Sequence, residues 1–513
     1  MRTVTVDGGP LRLEDLLAVA QGQARAGLGP GVPARMAPSA AVVAAAVTEG
    51  RVVYGVTTGF GALADTRIPP ADLAQLQLAL LRSHAAGVGE PLDDVTVRAL
   101  LLLRARTLAA GRSGVRVEVP ARLLELLDRG LLPVVPSQGS VGASGDLAQL
   151  AHLALPLVGE GRLRRAAAAD PRGVPAAALL AEEGLTPLTL AAKEGLSLIN
   201  GTEPMQVVLA LSVADAALLV RAADVACAVS VEALLGTDRP YDARVQALRP
   251  HPGQLASAAN LRRLLAGSPL VASHRDSDHA VQDAYSLRCA PQVHGAVRDV
   301  LRHARGVLDV ELGAVVDNPV IVVDGEVLTS GNFHGEPLAF AADMLAIALS
   351  ELASVSERRT DRLLDPAFSR GLPPFLARQA GTNSGFMLAQ YTAASLVSEN
   401  KVLAHPASVD TIPTSGNQED HVSMGWTAVR KLRRVVANVR VVLAVELLCA
   451  AQGVDLRGGP DRLAPATAAV HRRLREAVAV LDADRVVADQ ITAVDALLPD
   501  LVAAAGAAGG TLA

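Results

Sequence analysis

The chain has 513 residues, half of them hydrophobic but only 2% aromatic, with a formal net charge of -5 and a pI near 6.1. That balance excludes the basic face a nucleic-acid partner needs and points to a small-molecule partner. The longest apolar stretches are broken by Asp215, Arg221, Asp343, Arg440 and Glu446, short of the ~18 uninterrupted apolar residues of a membrane span, so they read as buried helices and no membrane partner is expected.

In chain order, Met1 to Asp7 lacks the apolar run of a secretion signal. Residues 1–203 alternate short helical patterns with glycine- and proline-rich loops, as at 54–70 and 133–145. From 204 to 513 the pattern changes to long helix-period segments, near 204–235, 291–314, 335–358, 384–404, 418–452 and 463–482. Between them, Asp324-Gly325 separates two short apolar runs and predicts a type I′ hairpin. The alanine- and glycine-rich end, 503–513, is expected to fray. With few aromatics the core must be mostly Leu, Val and Ala, which suits close helix packing. The predicted fold is therefore mainly α: a long helical bundle over 204–513 and a smaller, loop-rich region over 1–203. Cys227, Cys289 and Cys449 are widely separated, form neither a zinc spacing nor a disulfide framework, and suit a reducing cytoplasm.

The most informative loop is Gly139-Ser140-Val141-Gly142-Ala143-Ser144-Gly145-Asp146. If a tight bend brings the Gly145 nitrogen onto the Ala143 carbonyl carbon, the ring closes. Loss of two waters then turns Ser144 into an exocyclic methylidene, giving a methylidene-imidazolone. Glycine at 145 leaves the nitrogen uncrowded and permits the dihedrals of the bend, alanine keeps the carbonyl open, and serine supplies the leaving hydroxyl. Taken alone, the triplet reads as a small-residue turn. Other glycine-loop chemistries fit worse. No Gly-Lys-Ser/Thr ending is present, the spacing 139, 142, 145 is not the dinucleotide fingerprint, and Asp146 stands where a nucleophile elbow requires glycine.

Further polar clusters interrupt the apolar helices: Tyr54 to Gly61, Ser83-His84, Asn200-Gly201-Thr202, Gln282 to Cys289, Asp317-Asn318-Pro319, Ser330 to Pro337, and His405 to Ser408 followed by Asn417 to His421. Two of only four tyrosines, Tyr54 and Tyr285, fall in them. Individually each residue has a plain structural role: Tyr54 a core residue, His84 a satisfied loop histidine, Arg288 an ion-pair partner, Glu419 a first-turn charge. The stretch Ser273 to His279 lacks a recognised ligand spacing and reads as a solvated loop, and no metal site is expected.

Together with Gly142 to Asp146, these clusters resemble the aromatic amino-acid ammonia-lyase and aminomutase family, in family order from roughly residue 4 to 485. The resemblance implies a mainly helical fold, a homotetramer whose active sites draw on several subunits, and the 4-methylidene-imidazol-5-one formed autocatalytically from Ala143, Ser144 and Gly145, with no external cofactor. It places Tyr54 and Tyr285 at proton-transfer positions, Asn200 and Gln282 in support of cofactor or substrate, Arg288 on the substrate carboxylate and Phe333 beside the cofactor. Glu419, with Gln418 beside it, is the implied partner of the substrate imidazole or amine. Ser83-His84 resembles the histidine-selective version, because a buried imidazole needs polar partners. The implied reaction is elimination of ammonia from L-histidine to give trans-urocanate, the first step of histidine degradation. The alternatives are a phenylalanine or tyrosine lyase or aminomutase of the same family, and, in a different class, a non-catalytic helical assembly protein. Ala79, Gly313 and His294 depart from the family pattern, in which asparagine is common at the first two positions and an apolar residue at the third.

Overall fold

The structure, a computed structural model, describes residues 1–63, 65–276 and 281–513. Ser277, Asp278 and His279 of the 273–279 stretch therefore lie outside the described residues. The chain is mainly helical, and its long helices run Glu203–Ala233, Ala290–Glu311, Glu336–Leu364, Met387–Leu403, Gly425–Leu456, Pro465–Ala477 and Val487–Gly509. The segment predicted from 418 enters its helix only at Gly425, because Ser415, Asn417 and Met424 take positive φ and hold 415–424 as a loop. The carboxy-terminal end does not fray. Its helix continues to Gly509 around Pro499, Leu512 is buried, and the Ala513 N–H donates to Asn260 Oδ1.

Short strands punctuate the helices. Arg2–Val6 pairs in parallel with Ala24–Leu28, Leu131–Pro133 joins Arg162–Arg165 and Val174–Pro175, and Val88–Pro91 pairs with Pro136–Gln138. The expected hairpin forms between Val320–Ile321 and Val327–Leu328. Its turn is not type I′. Gly325 donates to Val322 O and has φ 85°, whereas Asp324 keeps a negative φ, the signature of a type I turn closed by a left-handed glycine.

The chain forms two compact units, each discontinuous in sequence: residues 1–211, 305–342 and 407–430, and residues 212–304, 343–406 and 431–513. In the first, helix Asp94–Ala109 is buried nearly all round, as its apolar sequence demands. Asp93 caps it by accepting from the Thr96 N–H at 2.7 Å. The second unit contains fully buried ion pairs, among them Arg359–Glu446. By length and composition four helices are apolar enough to cross a membrane: Glu203–Ala233, Glu336–Leu364, Gly425–Leu456 and Val487–Gly509. The criterion of uninterrupted apolar runs did not register them. The apolar windows of the first three are mostly buried inside the protein, and their buried charges find protein partners, as Arg359 and Glu446 do.

Candidate active site

The loop that follows strand Pro136–Gln138 bends sharply at the triplet. Gly142, Ser144 and Gly145 all have positive φ, at 74°, 50° and 79°. Space as well as dihedral demands glycine at two of them. A Cβ on Gly145 would sit 2.0 Å from Gly201 O, and one on Gly142 would sit 2.2 Å from Ser423 Oγ. The loop is pinned on both sides. Asp146 N–H donates to Gly201 O at 2.9 Å, Met424 N–H to Val141 O at 2.9 Å, and Trp426 Nε1 to Ser137 O at 2.9 Å. Such a bend, with no side chain crowding the Gly145 nitrogen, is what ring closure onto Ala143 requires.

Asp146 sits directly behind the triplet, fully buried, accepting from Ser140 Oγ at 2.6 Å and from the Met205 N–H at 3.0 Å. Burial outweighs those hydrogen bonds and pushes its carboxyl up to about 7. Three helices begin against this loop: one at Leu147, one at Glu203, whose Met205 N–H reaches Asp146, and one at Gly425, beside Gly142. Their exposed N–H groups and dipoles bring positive potential to the triplet.

Two cavities of the first unit, of about 370 and 600 Å³, share Tyr54, Gly61, Ser144 and Glu419 as lining. Ser144 Oγ donates to Glu419 Oε1 at 3.3 Å, and Thr414 Oγ1 holds Glu419 Oε2 at 2.8 Å. The Tyr54 hydroxyl accepts from the Gly61 N–H at 3.3 Å; Thr57, whose hydroxyl bonds Arg51 O at 2.6 Å and the Val53 N–H at 2.9 Å, fixes the turn that carries it. Phe333 and Gln418 line the smaller cavity, as do His334 and His421, whose rings lie 5.7 Å apart. The larger cavity is walled chiefly by apolar side chains such as Leu63, Leu76, Leu147 and Ile199, with Ser83 and His84 among its few polar groups.

His84 ends helix Leu73–His84, and its Nδ1 lies 2.9 Å from Leu80 O. A carbonyl only accepts, so Nδ1 carries hydrogen and Nε2 keeps a lone pair. Burial holds the ring below the usual histidine range and hence neutral.

Asn200 also lines the larger cavity, with Nδ2 donating to Asn318 O at 3.0 Å and Oδ1 buried without a partner. Behind it runs a buried polar chain. Asn318 Oδ1 takes the Ser330 N–H, Asp317 takes the Asn318 N–H, and Lys193 Nζ bridges Asp317 and Ser197 Oγ at 2.8 Å each. Burial drives Lys193 down from the usual lysine range. The Asp317-Asn318-Pro319 cluster was visible in sequence, but Lys193, Thr414 and the cavity-lining His334 and His421 were not assigned roles. Lys193 and Thr414 carried no signal beyond residue type. His334 and His421 lay inside clusters already singled out.

Gln282, Tyr285 and Arg288 are not brought to these cavities. All three belong to the second unit. Tyr285 is 71% exposed, and the Arg288 guanidinium stacks on its ring at 4.5 Å with Nε buried and unpartnered. The three departures are structurally explained. Ala79 adds open space to the larger cavity, Pro10 packs where a Gly313 side chain would project, and His294 is a buried hydrogen-bonded core residue. His334, Glu336 and His421 bring candidate ligand atoms within 4.8 Å of one another.

The bend at the triplet, held under three helix N-termini, thus opens on these cavities. The sequence matches the aromatic amino acid lyase family over residues 11–476, and the chain belongs to that family. It is an ammonia-lyase, a carbon–nitrogen lyase. It is 54% identical to the histidine ammonia-lyase of Anaeromyxobacter sp. (strain K), over 98% of this chain and 99% of that one. The histidine ammonia-lyase of Trypanosoma cruzi superposes with a TM-score of 0.90 at 43% identity, covering 99% of this chain and 95% of that one. The tyrosine aminomutase of Streptomyces globisporus superposes with a TM-score of 0.93 at 39% identity over the whole of both chains. The backbone therefore does not choose the substrate; side chains in the cavity must.

Proposed function

We propose that this chain is a histidine ammonia-lyase, eliminating ammonia from L-histidine to give trans-urocanate, the first step of histidine degradation. The observation that carries it is a cavity, mostly apolar in its lining, that Ser144 shares with two acceptors: the Glu419 carboxylate, which takes the Ser144 hydroxyl, and His84, whose Nδ1 is committed to Leu80 O and whose Nε2 keeps its lone pair. Acceptors in an apolar cavity reward a substrate ring that bears N–H, and leave phenylalanine with unpaired polar groups opposite its ring.

The bend at Ala143, Ser144 and Gly145 fits the 4-methylidene-imidazol-5-one, which supplies an electrophilic carbon that makes the substrate amine a better leaving group. The chain's own residues do the rest. Tyr54 or Tyr285 takes the β-proton. Arg288 fixes the carboxylate bidentately, aided by Asn200 and Gln282. Phe333 and Gln418 bound the reacting end, and the three helix N-termini stabilise the negative charge that develops there. Products balance as urocanate plus ammonia, with the β-proton leaving through the base.

Tyr285, Arg288 and Gln282 reach the reaction from another copy, in a homotetramer with shared sites. The outward Tyr285, with the unpartnered Nε of Arg288 beside it, supports that reading. We place the enzyme in the cytoplasm, in keeping with three unpaired cysteines.

One observation favours a second substrate: a phenol hydroxyl can also donate to His84 Nε2, so tyrosine is the rival. Absorbance at the urocanate, coumarate and cinnamate bands with L-histidine, L-tyrosine and L-phenylalanine decides. Turnover of tyrosine without histidine would reverse the assignment. Intact mass tests the chemistry itself, since a matured triplet is lighter by two waters, about 36 Da, whereas an assembly protein keeps its full mass.

A further inference from the structure

The second unit buries more charge than a helical core needs. Arg359 and Glu446 are both fully buried and pair at 2.5 and 2.8 Å, and Glu446 also accepts from Ser230 Oγ at 2.8 Å and Ser356 Oγ at 2.6 Å. Desolvation makes a buried pair a weak source of stability, and apolar replacements often do as well. What such replacements cannot supply is where the remaining donors of Arg359 go. Nη1 reaches Ser286 O at 3.2 Å and His294 Nε2 at 3.4 Å. Because Arg359 only donates, His294 receives at Nε2 and is left to donate from Nδ1, to Asp224 Oδ1 at 2.7 Å. Asp224 Oδ2 is held in turn by Arg298 at 2.7 Å and Asn260 at 2.9 Å.

Ser286 lies in the four-residue helix Tyr285–Arg288. This turn joins helix Ala290–Glu311 through Cys289, but Ala284 gives its free end no side-chain cap, and a single turn at a helix start is held weakly by its own bonds. Side chains from elsewhere in the unit bond it on its inward side. Leu287 O receives the hydroxyl of fully buried Tyr241 at 2.9 Å. Just before the turn, Asp283 is tied to the Thr237 N–H at 2.7 Å and to Arg370 at 2.9 Å. The inward carbonyls of Ser286 and Leu287 are thus clamped, while Tyr285 and Arg288 stack together on the open side.

We propose that Tyr241 and Arg359 are positioning residues for the Tyr285–Arg288 turn, with Glu446, His294 and Asp224 fixing the Arg359 guanidinium. The proposal rests on the reading of Tyr285 and Arg288 as site residues. A side chain displaced by about 1 Å can cost on the order of 100-fold in rate, which is the scale at which a lost clamp acts. Arg359→Lys keeps a charge for Glu446 but loses the planar fork that also reaches Ser286 O.

The test uses the full-length enzyme, with kcat and KM for L-histidine and KI for urocanate measured on Tyr241→Phe and Arg359→Lys. Tyr285→Phe and Arg288→Lys run as controls. Tyr241→Phe should lower kcat about ten-fold and raise KM and the urocanate KI together several-fold. Arg359→Lys should lower kcat by about 100-fold. The thermal midpoint of Tyr241→Phe should be nearly unchanged, and its triplet should still show the full dehydration. A merely structural role would reduce the active fraction and leave KM and KI alone. If the controls lose activity while Tyr241→Phe and Arg359→Lys keep wild-type kcat, KM and KI, the positioning proposal is overturned. If the controls themselves behave as wild type, the reading of the turn as part of the site fails instead. Should Arg359→Lys not fold, Tyr241→Phe alone decides, since it removes one oxygen and no packing surface.

Discussion

The two units present their functional candidates in opposite directions. In the first, positive φ at Ser144 and close glycine approaches at Gly142 and Gly145 shape a loop that faces inward, onto open volume. The second, which buries Arg359, Glu446, Asp224 and His294 much as the first buries Lys193 and Asp317, turns Tyr285 outward. An electrophile needs a bend held tightly enough to react with itself. On the proposed reading, Tyr285 and Arg288 need only be presented at a fixed angle, which one clamped turn of helix can do.

The sharpest way to break this division is to remove the hydroxyl the first unit is built around. Ser144→Ala should lower turnover of L-histidine by at least about 1,000-fold, and intact mass should show that the second dehydration no longer occurs. A variant that keeps wild-type turnover would end the case for chemistry at the triplet.

A second test separates the units by copy. Ser144→Ala and Arg288→Met should each be nearly inactive alone. Co-expressed, they should recover about a quarter of wild-type activity, the share of sites that statistical mixing in a symmetric oligomer gives one intact contribution of each kind. No recovery would mean that both contributions come from a single copy.

Legibility in the sequence follows the same division. Helix period revealed six of the seven long helices named above, because an apolar stripe is written directly in the spacing, but Val487–Gly509 fell outside the predicted segments. The start of the last-but-two helix was missed by seven residues, since the left-handed Ser415, Asn417 and Met424 are not glycines and carry no sign of their φ. The hairpin was legible and its turn type was not, because Asp-Gly serves both geometries and only the sign of φ at Asp324 separates them. Ala143-Ser144-Gly145 could be read for its chemistry but not for its fit, as the atoms that forbid a side chain at 145 belong to Gly201, 56 positions away in the chain. Most hidden of all was the partner of Glu446: the sequence shows a charge within an apolar stretch, but not that Arg359, 87 residues away, pairs with it.

A smaller effect concerns substrate choice. His84→Leu removes the acceptor Nε2 and should lower kcat/KM for L-histidine by about 10- to 100-fold while favouring L-phenylalanine, the scale of one polar contact in a specificity pocket. The wild-type pH profile carries the same signature. Burial lowers the His84 pKa, so the ring stays neutral down to below the usual histidine range, and histidine selectivity should fall only as pH drops through that lowered value, when Nε2 becomes a donor. A profile that loses selectivity on the alkaline side instead would remove His84 from the specificity role.

The smallest expected effect isolates the charge the second unit buries, with chemistry left alone. Glu232 is fully buried, and burial pushes its carboxyl up to about 7, outweighing the Ser268 and Thr467 hydroxyls beside it and the Ala464 N–H, which bonds Oε1 at 2.7 Å. Because the folded pKa stands above the unfolded value, the folded state holds the extra proton between them, so stability falls as pH rises from about 4.5 to about 7 and levels off beyond. Glu232→Gln keeps the oxygen that accepts from Ala464 and abolishes the ionisation. The thermal midpoint of the variant should therefore exceed wild type by a few degrees at pH 8, with the difference shrinking as pH falls toward 4.5. Turnover at pH 8 should be unchanged. A constant offset between the two melting curves at every pH would assign the effect to packing and leave Glu232 without a titration to contribute.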